Sequence, residues 1–441
     1  MLKKLLTCFI ISSFFVFQAN AQNEKPTNTC STTECHGNLV SQDVIHPAAR
    51  KKCDNCHQSN GQTHPQKDVK GFTLSQEVPN LCYKCHDENN TMANVHMPVK
   101  NGKCLDCHTP HSSPESYLLK KYPEGELCLS CHNKLESAQK QHKHEPVVKG
   151  ECVKCHDPHQ SDNNRMLVET SPNLCLKCHN VQAEQMKKPN VHPPFQNNCL
   201  NCHAQHSSTE EKLLNLTTKN LCFYCHTDMQ KKVEKATTVH GALNDKLSCL
   251  NCHNPHASDQ KMFLVNNTKD LCLSCHNKTI TVGNRHINNI EQTLKKSKSI
   301  HGAIDKNGCT GCHDPHATNT HSLLNKEFPV GNYANGNKEN FALCFTCHKS
   351  DLIEKQTSTV TGFRNGDKNL HFIHLNGEKG RSCTICHNPH GATNDKLIND
   401  SSPFGSWDMP LKFVKSDKGG SCAPGCHTER KYERTTTTMT K

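Results

Sequence analysis

Thirteen times the chain reads Cys-x-x-Cys-His, with first cysteines at Cys53, Cys82, Cys104, Cys128, Cys152, Cys175, Cys199, Cys222, Cys249, Cys272, Cys309, Cys344 and Cys383. Two stretched versions, opening at Cys30 and Cys422, bring the pairs to fifteen. The second cysteines are Cys35, Cys56, Cys85, Cys107, Cys131, Cys155, Cys178, Cys202, Cys225, Cys252, Cys275, Cys312, Cys347, Cys386 and Cys426. Each is followed at once by a histidine: His36, His57, His86, His108, His132, His156, His179, His203, His226, His253, His276, His313, His348, His387 and His427. Of 31 cysteines in 441 residues, only Cys8 stands outside the pattern. A chain punctuated this often has few free runs of helical length, so long regular elements are excluded.

Histidine makes up 33 of the 441 residues, so finding it after every pair is not chance. A disulfide framework has no use for that histidine. Zinc knuckles use Cys-x-x-Cys pairs but do not require a histidine after each one. Covalent haem attachment needs all three residues: two thiols add to the porphyrin vinyl groups, and the adjacent imidazole turns over the ring to bind iron. About fifteen molecules of haem c are therefore expected. They also supply what the composition lacks. Only 33% of residues are hydrophobic and 5% aromatic, where an ordinary domain is nearer half apolar. The expected fold is mostly irregular with short α-helices, an extended repeat array of two-haem modules built around covalently bound haems.

The motifs come in pairs and the pairs repeat. After an export leader over residues 1–21, the expected organisation is a solitary haem site with a first two-haem module (22–90). Modules then follow over 91–141, 142–189, 190–235, 236–290, 291–365 and 366–430, with a disordered tail at 431–441. Thr227–Lys235 and residues 133–141 have helical composition. Proline two residues beyond the first motif histidine, at Pro110, Pro158, Pro255, Pro315 and Pro389, stops a helix from running on. Residues 277–307 and 349–382 are rich in Asn, Lys, Thr and Gly and read as surface loops or linkers.

Eighteen histidines lie outside the motifs and are candidates for the sixth iron ligand. One set precedes the first cysteine of each module by seven to nine residues: His46, His96, His144, His192, His240, His301 and His374. Eight extended residues reach roughly 26 Å, so this histidine is expected over the far face of its own module's first haem. A second set follows the first motif histidine by three residues: His111, His159, His206, His256, His316 and His390. It is expected on the second haem of its module, and the first module offers His64 in its place. One of His142, His286, His321 and His371 then completes the fifteen. The methionines show no repeated offset, so ligation by two histidines and low potentials are expected.

The leader has Lys3 and Lys4, an apolar run from Leu5 to Phe17 and a small-residue site at Ala19-Asn20-Ala21. That run is too short to span a bilayer, and the mature chain is expected to be exported and soluble. The formal charge of +11 suggests a polyanion partner until haem is counted. With the leader gone, fifteen ferric haems bring the total to about −6, and fully reduced ones to about −21. The lysines are read as counter-charges, and no nucleic-acid role is expected.

The repeated pattern His…Cys-x-x-Cys-His-x-Pro-His…Leu-Cys-x-x-Cys-His resembles the doubled CXXCH multihaem cytochromes c, among them periplasmic decahaem cytochromes of porin-cytochrome conduits. The stretched motifs CSTTECH and GGSCAPGCH are similar to terminal haem sites in long members. The resemblance covers about Cys30 to His427. It implies electron transfer along bis-histidine haems in the cell envelope, in anaerobic or extracellular respiration, and no enzymatic activity. The implied location is the periplasm, with outer-membrane-associated or extracellular placement as the alternative. Implied partners are other redox proteins, namely a quinol-linked donor and an outer-membrane or extracellular acceptor, with an outer-membrane porin or a polymer of the chain as further options. A reductase of a small oxyanion or metal ion, with one haem left open, is the competing reading.

Overall fold

The computed structural model describes residues 29–121, 124–137, 140–283 and 285–435. The expected leader lies outside them, as do residues 436–441. Contacts divide the chain into two compact units, Met1–Thr170 and Ser171–Lys441. The division falls between the two motifs of the 142–189 segment. Both units use the same local plan.

Among the described residues, strands are two to four residues long and the longest helix, Thr227–Lys235, has nine. Each first motif is one tight helical turn. The amides of Cys107 and His108 both donate to the Cys104 carbonyl, at 3.3 and 3.1 Å, and those of Cys252 and His253 do the same on Cys249 at 3.2 and 3.0 Å. Positions three and four apart share a helix face, so one turn presents two thiols and an imidazole together. Beyond the first motif the chain reverses on two consecutive left-handed residues. Tyr117 and Leu118, Arg165 and Met166, Lys212 and Leu213, Met262 and Phe263, Ser322 and Leu323, and Lys396 and Leu397 all have φ between 55° and 61°. Such a conformation costs roughly 1–2 kcal/mol for each non-glycine residue, and nearby bonds offset it. Ser113 Oγ donates to Leu119 O at 2.5 Å and Ser161 Oγ to Leu167 O at 2.6 Å, both from buried serines. In the first six modules the second motif lies on a short helix or helical turn, as in Thr268–Cys275, where the Asn267 side chain caps the end by accepting from the Asp270 amide; in the last it opens at the end of the strand Gly419–Cys422.

Modules are joined by paired strands of two residues. Val44–Ile45 runs antiparallel to Ser112–Ser113, and Asn94–Val95 to Gln160–Ser161. In the second unit Asn190–Val191 pairs with Ala257–Ser258, Thr238–Val239 with Ala317–Thr318, and Ser299–Ile300 with Gly391–Ala392. Every such pair links the strand before one module's leading histidine to the strand after the Pro-His of the next.

Side chains alone make little core. In the first unit the buried residues described are Ser113, Ser161 and the glycines Gly71 and Gly125, and no large apolar side chain is buried among the described residues. The second unit has three small clusters, centred on Phe223, Val233 and Ala317, on Phe341, Ile353 and Leu375, and on Ile385, Met409 and Leu411. The fold is thus mostly irregular with repeated modules, as the composition requires.

Two expectations are corrected. Residues 277–307 are not a loop: they hold a hairpin (Ile280–Val282 with Arg285–Ile287) and the helices Ile290–Lys296 and Gly302–Asn307. Residues 349–382 likewise carry the helices Asp351–Glu354 and Leu370–Leu375. The asparagines that suggested loops start helices instead, Asn289 capping Gln292 and Asn369 capping His371 and Phe372. The expected disordered tail also begins too early. Arg430–Glu433 is a strand paired with Gly419–Cys422, and the buried Tyr432 lies so close to Gly419 and Gly420 that a Cβ at either would strike its carbonyl or its hydroxyl.

Candidate haem sites

In six of the seven modules the fold ties one nitrogen of the first-motif imidazole and leaves the other open. The Nδ1–H of His108 donates to the Tyr117 carbonyl at 2.9 Å, that of His156 to Arg165 at 3.0 Å and that of His203 to Lys212 at 2.8 Å. His253, His313 and His387 repeat the bond with Met262, Ser322 and Lys396 at 2.8, 2.9 and 2.9 Å. The acceptor is always the first residue of the left-handed pair, nine positions on. A backbone carbonyl on Nδ1 fixes the tautomer and directs the Nε2 lone pair outward, the arrangement a metal-binding histidine needs. Leading histidines are held similarly: His96 on Pro158 O at 3.0 Å and His192 on Pro255 O at 2.9 Å.

The imidazoles then face one another in pairs. Ring centres lie 5.8 Å apart for His36 and His64, 6.0 Å for His46 and His86, and 6.1 Å for His57 with His111, His96 with His132, and His108 with His159. In the second unit the pairs are His192–His226, His203–His256, His240–His276, His253–His316, His301–His348, His313–His390 and His371–His387, at 6.1–6.5 Å. Iron–nitrogen bonds of roughly 2 Å on each side, plus ~1 Å from nitrogen to ring centre, require about 6 Å. The residues therefore fit a haem iron held between two histidines. Burial helps by keeping the rings neutral: it holds His371 and His390 down to about 4.

The pairing differs from the expectation within each module. Leading histidines such as His96 face the second motif, here His132, rather than the first. The histidine after Pro faces the first motif of the preceding module, as His159 faces His108. Backbone pairing explains the exchange. The amide of His96 donates to His159 O at 2.9 Å, and His46, His192 and His240 do the same to His111, His256 and His316 at 2.8, 2.9 and 2.9 Å. These bonds draw the next module's histidine back over the earlier motif. His64, placed by the His57–Ser59 and Phe72–Leu74 hairpin, faces the solitary His36.

The thiols form a file. None of the thirty cysteines outside the leader is in a disulfide, and each motif neighbours those before and after it in its unit. In the first unit Cys53 meets Cys30, Cys82 meets Cys104 and Cys56, Cys107 meets Cys131, and Cys152 meets Cys128. In the second, Cys199 meets Cys175, Cys202 meets Cys225, Cys249 meets Cys222, Cys252 meets Cys275, and Cys309 meets Cys272. The file continues from Cys312 to Cys344, from Cys344 to Cys383 and from Cys386 to Cys422. A hydrogen bond from the Cys128 thiol lowers Cys152 to about 7, and Cys175, Cys222 and Cys272 lower Cys199, Cys249 and Cys309 to about 6. Burial raises Cys386 to about 11.

Of the four spare histidines, His371 joins a pair. His321 has both ring nitrogens bonded, to Ser322 Oγ at 3.1 Å and Phe328 O at 2.8 Å, and His286 is tied to Thr281 Oγ1 on an exposed hairpin. The carbonyls that orient the motif histidines were not anticipated from the sequence, although their constant nine-residue offset is written there. Among the described residues no three or more His, Cys, Asp or Glu converge as a site for a bare metal ion. None of the helices described is long and apolar enough to cross a membrane.

A sequence-family profile described as "Doubled CXXCH motif" matches seven times, at residues 46–91, 96–137, 144–184, 192–231, 240–281, 301–352 and 374–431. "Multiheme cytochrome MtrA" of Shewanella baltica (strain OS185) is 31% identical over 121 residues, which cover 26% of this chain and 34% of that protein. The similarity thus spans about a third of the relative's length.

Proposed function

The chain belongs to the doubled CXXCH-motif family of multihaem c-type cytochromes, and from that premise we propose that it passes electrons along about fifteen covalently bound haems. The observation that carries this is the unbroken file of thiol pairs in each unit, flanked by facing histidines. When bound, haem supplies one-electron exchange at iron. The protein does the rest. Its thiols fix each macrocycle, and consecutive motifs set the attachment points side by side. Where two imidazoles face each other, they would hold the iron between them, which favours electron exchange over binding of a small substrate. Lysines offset propionate charge.

The setting we propose is the cell envelope, reached through the leader at residues 1–21, with the periplasm as the first location and the outer membrane or the exterior as the alternative. A quinol-linked donor, an outer-membrane or extracellular acceptor and a porin are the partners implied by the resemblance to conduit cytochromes. Anaerobic or extracellular respiration is the matching pathway.

Mass measurement of the purified mature protein is expected to count about fifteen covalent haems. Its ferric spectrum should be low-spin throughout, and the reduced form should bind no carbon monoxide. A product with most motifs empty, or with many irons open to carbon monoxide, would contradict the proposal. Fractionation of periplasm, outer membrane and medium, with capture of redox partners, tests the setting.

A further inference from the structure

We propose that His371 is the sixth ligand of the iron attached at Cys383, Cys386 and His387, closing the ligand array from inside the seventh module. The inference rests on the reading that these motifs carry haem. In five modules the first motif histidine faces a ring supplied by the following module: His57 with His111, His108 with His159, His203 with His256, His253 with His316 and His313 with His390. At His387 that rule breaks. The ring it faces is His371, 6.5 Å away and inclined by only 20°.

The position is built, not incidental. His371 Nδ1 lies 3.1 Å from Thr361 Oγ1, and Thr361 is itself buried. His387 Nδ1 is occupied by the Lys396 carbonyl, so Nε2 is the free nitrogen on both rings. The fully buried Asn369 accepts from the His371 amide at 3.1 Å and donates to Leu352 O and Lys355 O at 3.0 and 2.8 Å. This fixes the start of the Leu370–Leu375 helix. Phe363 packs edge-on against the His371 ring at 5.2 Å.

One turn further along the same helix lies His374, the leading histidine of this module, with its ring against Phe363 at 5.4 Å. Its Nδ1–H donates to Leu370 O at 2.7 Å, and His427 of the second motif is near enough to act on its charge. Residues three apart share a helix face, so one short helix presents both histidines. The corresponding positions before the other leading histidines hold Asp43, Ala93, Gln141, Pro189, Thr237 and Lys298. None is a histidine. With His371 in place, the His387 site needs no ligand from another module or from a second copy of the chain, so ligand exchange between copies cannot propagate through it.

The test uses the full-length, haem-loaded protein. His371→Ala is expected to keep the same number of covalent haems by mass while converting one haem per chain to high spin, with one carbon monoxide bound after reduction. His371→Met, which retains an axial ligand, should stay low-spin and raise a single potential. In a Cys383→Ala, Cys386→Ala background, His371→Ala should add no high-spin haem. A fully low-spin His371→Ala protein overturns the assignment, as does a high-spin signal that survives loss of the Cys383 motif. If His371→Ala fails to accumulate, an unchanged set of potentials in His371→Met overturns it equally. Absence of covalent haem from the unaltered protein would remove the premise rather than the choice of ligand.

Discussion

Arg381 carries a fixed positive charge at the edge of the last two motifs. Its guanidinium lies 4.4 Å from the Tyr333 ring centre and 5.8 Å from that of Phe404, and Nη2 is 4.0 Å from Cys426 Sγ. Nη1 is buried with no partner in the protein, and the charge acts on both Cys386 and His374. Each electron added to a neighbouring iron makes that site more negative, and a desolvated cation stabilises the added charge. Arg381→Met is therefore expected to lower the potential of the last haems while leaving the others in place. Potentiometric titration checks this, and removing Cys422 and Cys426 should abolish part of the shift. The charge was visible in the sequence as one arginine among many cations. Its position against two aromatic rings was not, because Tyr333 and Phe404 are far from it along the chain.

At the scale of elements, the repeated reversal between first motif and second helix depends on small hydroxyl side chains. Ser161 Oγ donates to Leu167 O at 2.6 Å and accepts from the Asn163 amide at 3.0 Å. It thereby braces the left-handed Arg165 and Met166, whose turn supplies the carbonyl that holds His156. Ser161→Ala leaves the Asn163 amide without its acceptor, while Leu167 O keeps its bond from Asn163 Nδ2 at 2.9 Å, and should cost about 1 kcal/mol. A lower thermal midpoint with unchanged haem count is the expected result, and an unchanged midpoint would show that the turn does not depend on this serine. The Thr227–Lys235 helix was legible from composition because its nine residues lie between two anchors with nothing to interrupt them. The helices in 277–307 and 349–382 were not, because asparagine serves turns and helix caps alike.

Across each unit, the modules are interlocked rather than strung together. His390 lies in the seventh module but faces His313 of the sixth at 6.1 Å. His390→Ala is expected to yield one high-spin haem without loss of covalent haem. The signal should vanish when Cys309 and Cys312 are also replaced and persist when Cys422 and Cys426 are replaced. The reverse outcome would restore pairing within the module. Interlocking also means that a change in one module reaches the haem of its neighbour.

The thiols, the motif histidines and the repeat were readable from the chain alone, since covalent attachment requires adjacent residues and so leaves a local signature. That a core must come from something other than side chains was also readable, from the scarcity of apolar residues. Which histidine faces which could be decided only in three dimensions. The two reserve sets were recognisable by their offsets, but a flexible link of about eight residues reaches several haem faces. Antiparallel strands joining residues 65 to 93 positions apart select among them, and no pattern within a single module records that pairing.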